Sequence, residues 1–246
     1  MFFKKNTTNS SSYTPSLAEQ KQYWEKRWER SRIPNAWQLR RGEAILTLLR
    51  SLGLVHPKIL DLGCGTGWFT DQLSHMGEAI GIDLSETAIT LASSQFPHVA
   101  FMSGNLYEIP LLPEQFDVVV SQEVIAHVED QMRFLDRIAY TLKADGYLVL
   151  TTVNRFVIER TNQPPDPPEH IKQWLTVKEI KRLLQPNFHV LDMTTVIPMG
   201  SRGLLKLVNS YKVNAALRRL FSRARLDAIK EWAGFGYTRI VLARKK

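Results

Sequence analysis

The sequence predicts an α/β fold, with a seven-stranded, mostly parallel sheet and helices on both faces. Three observations predict it. From Lys58 onward, short strand-like segments alternate with helix-patterned ones, as in parallel strands joined by helical crossovers. The strands are short and nearly continuously apolar, as in Phe116-Asp117-Val118-Val119-Val120, which suits a sheet covered on both faces. A glycine-rich turn, Gly63-Cys64-Gly65-Thr66-Gly67, ends the first strand and opens a helix. The 246 residues suffice for one such domain with a full core.

Each element has its own warrant. Residues 1–15 are rich in Ser, Thr and Asn and are expected to be mobile, leaving 16–246 as a single domain. Ser16 and Glu19 form a capping box that opens a helix running to about Arg30. Trp24 and Trp28, one turn apart, and Tyr23 give that helix an aromatic face, suited to a lid or to an anchor. A second helix, about Gln38 to Leu52, turns Ile45, Leu48, Leu49 and Leu52 towards a core, so that 16–52 is helical. The central unit, 58–200, holds strands at 58–62, 79–83, 98–102, 116–121, 146–152 and 188–196. Helices are predicted at 67–76, 85–95 and 130–143, and from Thr176, capped by Glu179, to before Pro186. Pro164, Pro165, Pro167 and Pro168 stiffen the loop ahead of that last helix. Residues 237–243 supply the seventh strand. Before it, 201–233 shows helical spacing and is expected to form a helical cap over the ligand-binding edge of the sheet.

Composition narrows the function. Hydrophobic residues make up 44% and charged residues 23%, as in ordinary soluble domains. No apolar run approaches the ~18 residues that span a bilayer, and the N-terminal stretch lacks the apolar core of a signal peptide, so a cytoplasmic location is expected. The single cysteine, Cys64, excludes an internal disulfide and fits a reducing compartment. The net charge is +8, and much of the excess lies between Ser201 and Glu231. There Arg202, Lys206, Lys212, Arg218, Arg219, Arg223, Arg225 and Lys230 face only Asp227 and Glu231. A solvated helix face accounts for such a cluster; transient contact with an anionic membrane is the alternative, and no appended nucleic-acid module accompanies it.

The glycine turn carries the chemistry. Glycines there allow a tight turn and a close approach to a ligand. Asp83, 22 residues beyond Asp61, ends the second strand, where a Rossmann-like fold places a carboxylate that accepts from both hydroxyls of an unphosphorylated ribose. The run Asp61-Leu62-Gly63-Cys64-Gly65-Thr66-Gly67-Trp68 then resembles the first motif of the class I S-adenosylmethionine-dependent methyltransferases, and the likeness extends over residues 40–196. Trp68 stands where a nicotinamide fingerprint needs Gly or Ala. Gly104-Asn105-Leu106, Ser121-Gln122-Glu123-Val124-Ile125-Ala126-His127 and Leu142-Lys143-Ala144-Asp145-Gly146 follow in the family's order.

The resemblance implies S-adenosylmethionine as cofactor and S-adenosylhomocysteine as product. It assigns cofactor binding to Asp61, Gly63, Cys64, Gly65, Gly67, Trp68, Asp83, Leu84, Asn105, Leu106 and Gln122. His127, just beyond the fourth strand, is the candidate base, and His170 a candidate on the acceptor side. The segment around His127, with Thr151-Thr152-Val153-Asn154-Arg155, is similar to ubiquinone-biosynthesis O-methyltransferases. Those proteins commonly carry a second glutamate before the histidine; Ala126 stands there, so no metal is expected. The expected reaction is O-methylation of a small phenolic, quinol-like or other natural-product acceptor. N- or C-methylation, methylation of RNA or protein, and cofactor binding without turnover are the alternatives.

Overall fold

The computed structural model describes residues 14–30, 33–161 and 170–246. The expected mobility of the N-terminal segment concerns residues that lie, up to position 13, outside that set, as does the proline cluster at 164–168. Seven strands form one sheet: β1 (Lys58–Leu62), β2 (Glu78–Asp83), β3 (Ala100–Ser103), β4 (Phe116–Gln122), β5 (Leu142–Val153), β6 (Phe188–Pro198) and β7 (Gly236–Lys245). Their order is β3-β2-β1-β4-β5-β7-β6. Parallel pairing runs from β3 through to β5, and β7 lies antiparallel between β5 and β6. Because β1 has β2 on one side and β4 on the other, the chain direction of winding reverses there. That reversal opens a crevice at the carboxyl ends of β1 and β4, where open α/β sheets bind ligands.

Helices cover both faces. On one, α2 (Ala36–Ser51) and α3 (Trp68–Ser74) bury Ile45, Leu46, Leu49, Phe69 and Leu73 against Ile59, Val118 and Val120. On the other, α5 (Gln131–Thr141) and α7 (Val177–Leu184) bury Leu135, Ile138, Ile180 and Leu184 against Val119, Leu148 and Val241. Alternate residues of β4 thus serve opposite cores, which is why its centre, Val118-Val119-Val120, is continuously apolar. The remaining helices are α1 (Leu17–Arg30), α4 (Glu86–Gln95), α6 (Arg155–Ile158), α8 (Leu204–Val208), α9 (Tyr211–Leu217) and α10 (Arg223–Trp232).

Local chemistry sets the boundaries. Asn35 caps α2 reciprocally with Gln38, so the helix starts two residues before the expected Gln38. Thr176 and Glu179 form the same device at α7. Strand β5 begins at Leu142 rather than 146: Phe116 pairs with Leu142, but Val118 already pairs with Tyr147. The intervening residues bulge, and Asp145 takes a positive φ of 59° at a position where the resembled motif carries glycine. The segment 201–233 is helical, as its periodicity predicts. It does not cap the crevice: α10 packs on β6, and none of the segment's residues lines the cavity there.

Candidate active site

The crevice is a cavity of about 750 Å³, bounded by the carboxyl ends of β1, β2 and β4 and roofed by α1. Two glycines shape its floor. Gly63 has φ +80°, and a Cβ there would sit 2.2 Å from Val124 Cγ2. At Gly65, φ +53°, a Cβ would meet the Trp28 indole at 2.6 Å, so this turn and α1 approach each other only because the side chain is missing. Gly67 instead packs against Ala92 and Phe101.

Two buried carboxylates hold the turn. Asp83 accepts the Gly65 N–H at 2.8 Å and the Ser85 N–H at 2.9 Å, and burial raises its pKa. Asp61 accepts the Thr70 hydroxyl at 2.8 Å through Oδ2, while its buried Oδ1 has no partner among the described residues. Burial pushes the Asp61 carboxyl up to about 7, the Thr70 bond opposing and the Asp83 charge adding to the shift. A buried acceptor left unpaired at a cavity wall is costly, and a ligand ammonium group would satisfy it. S-adenosylmethionine fits this set: it carries an ammonium for Asp61 and ribose hydroxyls for Asp83. The largely buried Arg41 guanidinium, which also lines the cavity, suits its carboxylate. Cys64, Trp68, Leu84, Leu106 and Gln122 line the same cavity; Gly65 and Gly67 shape the turn without lining it. The Asn105 amide oxygen accepts the Tyr107 N–H at 3.2 Å and its nitrogen donates to Glu108, leaving one oxygen lone pair for a ligand. Burial pushes the Cys64 thiol well up, so it is a small apolar filler and no thiolate nucleophile.

Farther along the cavity the two predicted histidines meet. A turn of 3₁₀ helix, Ile125–His127, follows β4 and presents His127; its imidazole stacks on that of His170 with centroids 4.4 Å apart. Tyr23 stacks on the other face of His170 at 4.5 Å, and Trp24 sets its ring edge-on to both histidines. His127 Nδ1 lies 2.7 Å from the Ile171 carbonyl oxygen. A carbonyl only accepts, so Nδ1 carries the proton and Nε2 a lone pair. Burial, then the neighbouring His170, lower the His127 pKa to about 4; burial and the Arg27 charge do the same for His170. Both rings are neutral at physiological pH. Neither His170 nitrogen has a hydrogen-bond partner among the described residues.

Helix α1 is fastened above this site by a contact that spans the chain. Glu25 accepts from the Ser85 hydroxyl and from the Glu86 and Thr87 N–H groups, each within 2.9 Å, so a carboxylate of α1 caps the positive end of α4. Lys21 adds an ion pair to Glu86.

Among known families, residues 60–150 match the methyltransferase-domain family. Residues 60–150, the stretch that begins just ahead of the glycine turn, thus resemble an S-adenosylmethionine-dependent methyltransferase domain. The chain also resembles a probable S-adenosylmethionine-dependent methyltransferase of Mycobacterium tuberculosis, 35% identical over 127 residues, 51% of this chain and 46% of that protein. A ubiquinone biosynthesis O-methyltransferase of Rhodopseudomonas palustris is 38% identical over 102 residues, 40% of each chain. This chain therefore spans about half the length, or less, of the curated relatives it matches. An S-adenosylmethionine-dependent methyltransferase of known structure from Mesorhizobium loti shares the fold, with a TM-score of 0.58 at 20% identity, covering 82% of this chain and 97% of that one.

The cavity wall also holds a cluster that sequence reasoning missed. Arg41 donates to the Gln122 amide oxygen at 2.9 Å and lies 3.4 Å from Glu123, whose own φ is +59°. Burial raises the Glu123 pKa while Arg41 opposes it, and the Thr151 hydroxyl donates to Glu123 at 3.1 Å. A signal existed: Arg41 falls four residues before Ile45, a cation on the apolar stripe of α2. Among the described residues no group of three or more His, Cys, Asp or Glu side chains converges as a metal site. No described helix is long and apolar enough to cross a membrane.

Proposed function

We propose that this chain transfers a methyl group from S-adenosylmethionine to a small-molecule acceptor, and that the acceptor atom is a hydroxyl oxygen of a phenolic, quinol-like or related natural product. The observation that carries this reading is the aromatic compartment around His127 and His170, which opens into the same cavity as the glycine turn. When bound, the cofactor supplies an electrophilic methyl on a positively charged sulfur. Asp61, Asp83, Arg41, Gln122, Asn105, Leu84, Leu106 and Trp68 would hold it. Tyr23, Trp24 and the His170 ring flank a flat acceptor and exclude water, so that alignment supplies much of the rate, up to ~7–11 kcal/mol of barrier in favourable cases. His127 takes the acceptor hydroxyl proton on Nε2 while its Nδ1–H stays on the Ile171 carbonyl, and returns it to solvent afterwards. A neutral imidazole is the competent form, and its pKa of about 4 keeps it so while leaving it a weaker base than one poised near the working pH. The reading places the reaction in the cytoplasm, in keeping with a single buried thiol.

The test is the fate of a labelled methyl. Protein, methyl-labelled cofactor and a source-cell extract are incubated, then separated into organic-soluble, RNA and protein fractions. Label is expected in the organic fraction, and His127→Gln is expected to lower its rate by about 10²–10⁴-fold while cofactor affinity is retained. Label in RNA or protein would overturn the small-molecule reading. An unchanged rate in the variant would remove His127 as the base and point to an amine or carbon acceptor.

A further inference from the structure

The helical segment between β6 and β7 has no part in the cavity, yet it has an organised surface. Each helix is fixed by one inward residue: Leu205 in α8, Asn214 in α9 and Leu226 in α10. Asn214 donates to the Val208 and Ser210 carbonyls and thereby ties α9 to α8. The Glu231 carboxylate receives Arg40 from α2, and its carbonyl accepts the Thr195 hydroxyl of β6. The segment is thus mounted on the rigid sheet.

Its outward residues are of two kinds. Leu207, Tyr211, Leu220 and Trp232 are 60%, 80%, 77% and 86% exposed, and Leu204 and Ile229 are about half exposed. Arg202, Lys206, Lys212, Arg218, Arg219 and Arg225 are exposed among them and make no ion pair with any described residue. Isolated surface leucines are ordinary, but six large apolar side chains interleaved with six free cations over some thirty residues are not. A nucleic acid would match the cations and leave the leucines unexplained. A bilayer surface with anionic headgroups matches both: phosphates take the guanidinium and ammonium groups, the leucines enter the acyl boundary, and Trp and Tyr settle at the headgroup level.

We propose that residues 201–233 are a docking surface for an anionic lipid bilayer. The surface binds by combined charge and shallow insertion. Docked this way, the C-terminal end of α10 brings its neighbour α2 to the membrane, and α2 contributes Trp37, Gln38 and Arg41 to the cavity wall. An acceptor that partitions into lipid would then reach the cavity from the bilayer rather than from solution.

Co-sedimentation of the full chain with phosphatidylcholine vesicles, with and without phosphatidylglycerol, tests this. The protein is expected to pellet with the anionic vesicles at low salt and to stay in solution with the neutral ones. Two double variants, Arg218→Glu with Arg219→Glu and Leu220→Ser with Trp232→Ser, are each expected to reduce partitioning about tenfold or more. All four positions are exposed, and circular dichroism checks each variant's fold; if the Leu220→Ser, Trp232→Ser variant unfolds, Leu207→Ser with Tyr211→Ser takes its place. Absence of binding to anionic vesicles overturns the proposal. So does binding that the apolar variant leaves unchanged, since charge alone would then account for it. Tighter binding to a mixed-sequence RNA, lost in the same charge variant, would assign the surface to nucleic acid instead.

Discussion

Asp61 shows how a single residue is set against the fold that houses it. Its carboxyl is buried, half satisfied by Thr70, and pushed to about 7, so at neutral pH the free protein holds a mixture of acid and carboxylate. An ammonium ligand pairs with the carboxylate only. Binding must therefore expel a proton below pH 7, and cofactor affinity is expected to fall as pH drops, by about tenfold or more between pH 7.5 and 5.5. Asp61→Asn keeps an acceptor for Thr70 but carries no charge; titration calorimetry should find weaker binding with that slope removed. Equal slopes in both proteins would mean that another group takes the proton. Asp61 and Asp83 were legible in the sequence because the turn they serve is local. His127 and His170 were legible one by one, but not as a stacked pair, since 43 residues separate them and only the packing of α1 brings Tyr23 and Trp24 around both. Arg41 and Glu123 went unread because an ion pair between α2 and the end of β4 leaves no mark in either segment alone.

At the scale of elements, α1 behaves as a fastened roof. Its own capping box, Ser16 with Glu19, was readable from spacing. Its fastening was not, because Glu25 finds its donors sixty residues later at the start of α4. Burial alone would raise the Glu25 pKa; the hydrogen bonds from Thr87, Ser85 and Glu86 outweigh it, and the net shift is downward. The stabilisation is therefore present above the unfolded carboxylate pKa near 4.3 and is lost as pH falls through the lower folded value. Glu25→Gln is expected to cost about 1 kcal/mol and to raise hydrogen exchange in 17–30 selectively, with the sheet unaffected. Unchanged exchange in α1 would mean that Trp24 and Trp28 hold the roof unaided. The crossover strands and helices of the central unit were legible to within a few residues, since each carries its period and caps locally. The cap expected over the crevice was not a cap: periodicity marks a helix but does not say which edge of a sheet receives it.

For the whole molecule, the pH dependence of stability is a contest between buried bases and buried acids. His127 and His170 have folded pKa values of about 4, below the ~6.5 of an unfolded histidine. Between those values the unfolded chain binds more protons, so their contribution is complete above pH 6.5 and is lost as pH falls towards 4. Asp61 works in the opposite sense: its folded pKa of about 7 exceeds the unfolded ~3.9, so stability falls as pH rises between them. The two slopes flatten the wild-type profile. Melting curves against pH should separate them: Asp61→Asn gains stability over wild type progressively from pH 4 to 7, whereas His127→Gln with His170→Gln gains it progressively from pH 6.5 down to 4. Parallel profiles for all three proteins would show that none of these groups is titrated by folding. The site thus keeps ionisable groups where the fold alone would do better without them, a cost accepted for binding and chemistry.

The antiparallel β7 has one more consequence. It is bonded to β5 on one side and β6 on the other, although β6 is made first. As the polypeptide leaves the ribosome, β1 to β5 can pair among themselves, but β6 has no neighbour until Gly236–Lys245 has emerged. The cationic helices mounted on β6 wait with it. A nascent chain thus forms the glycine-turn end of its crevice first, and the last strand at once adds Tyr237 and Thr238 to the cavity wall and gives the cationic helices their seat on the sheet.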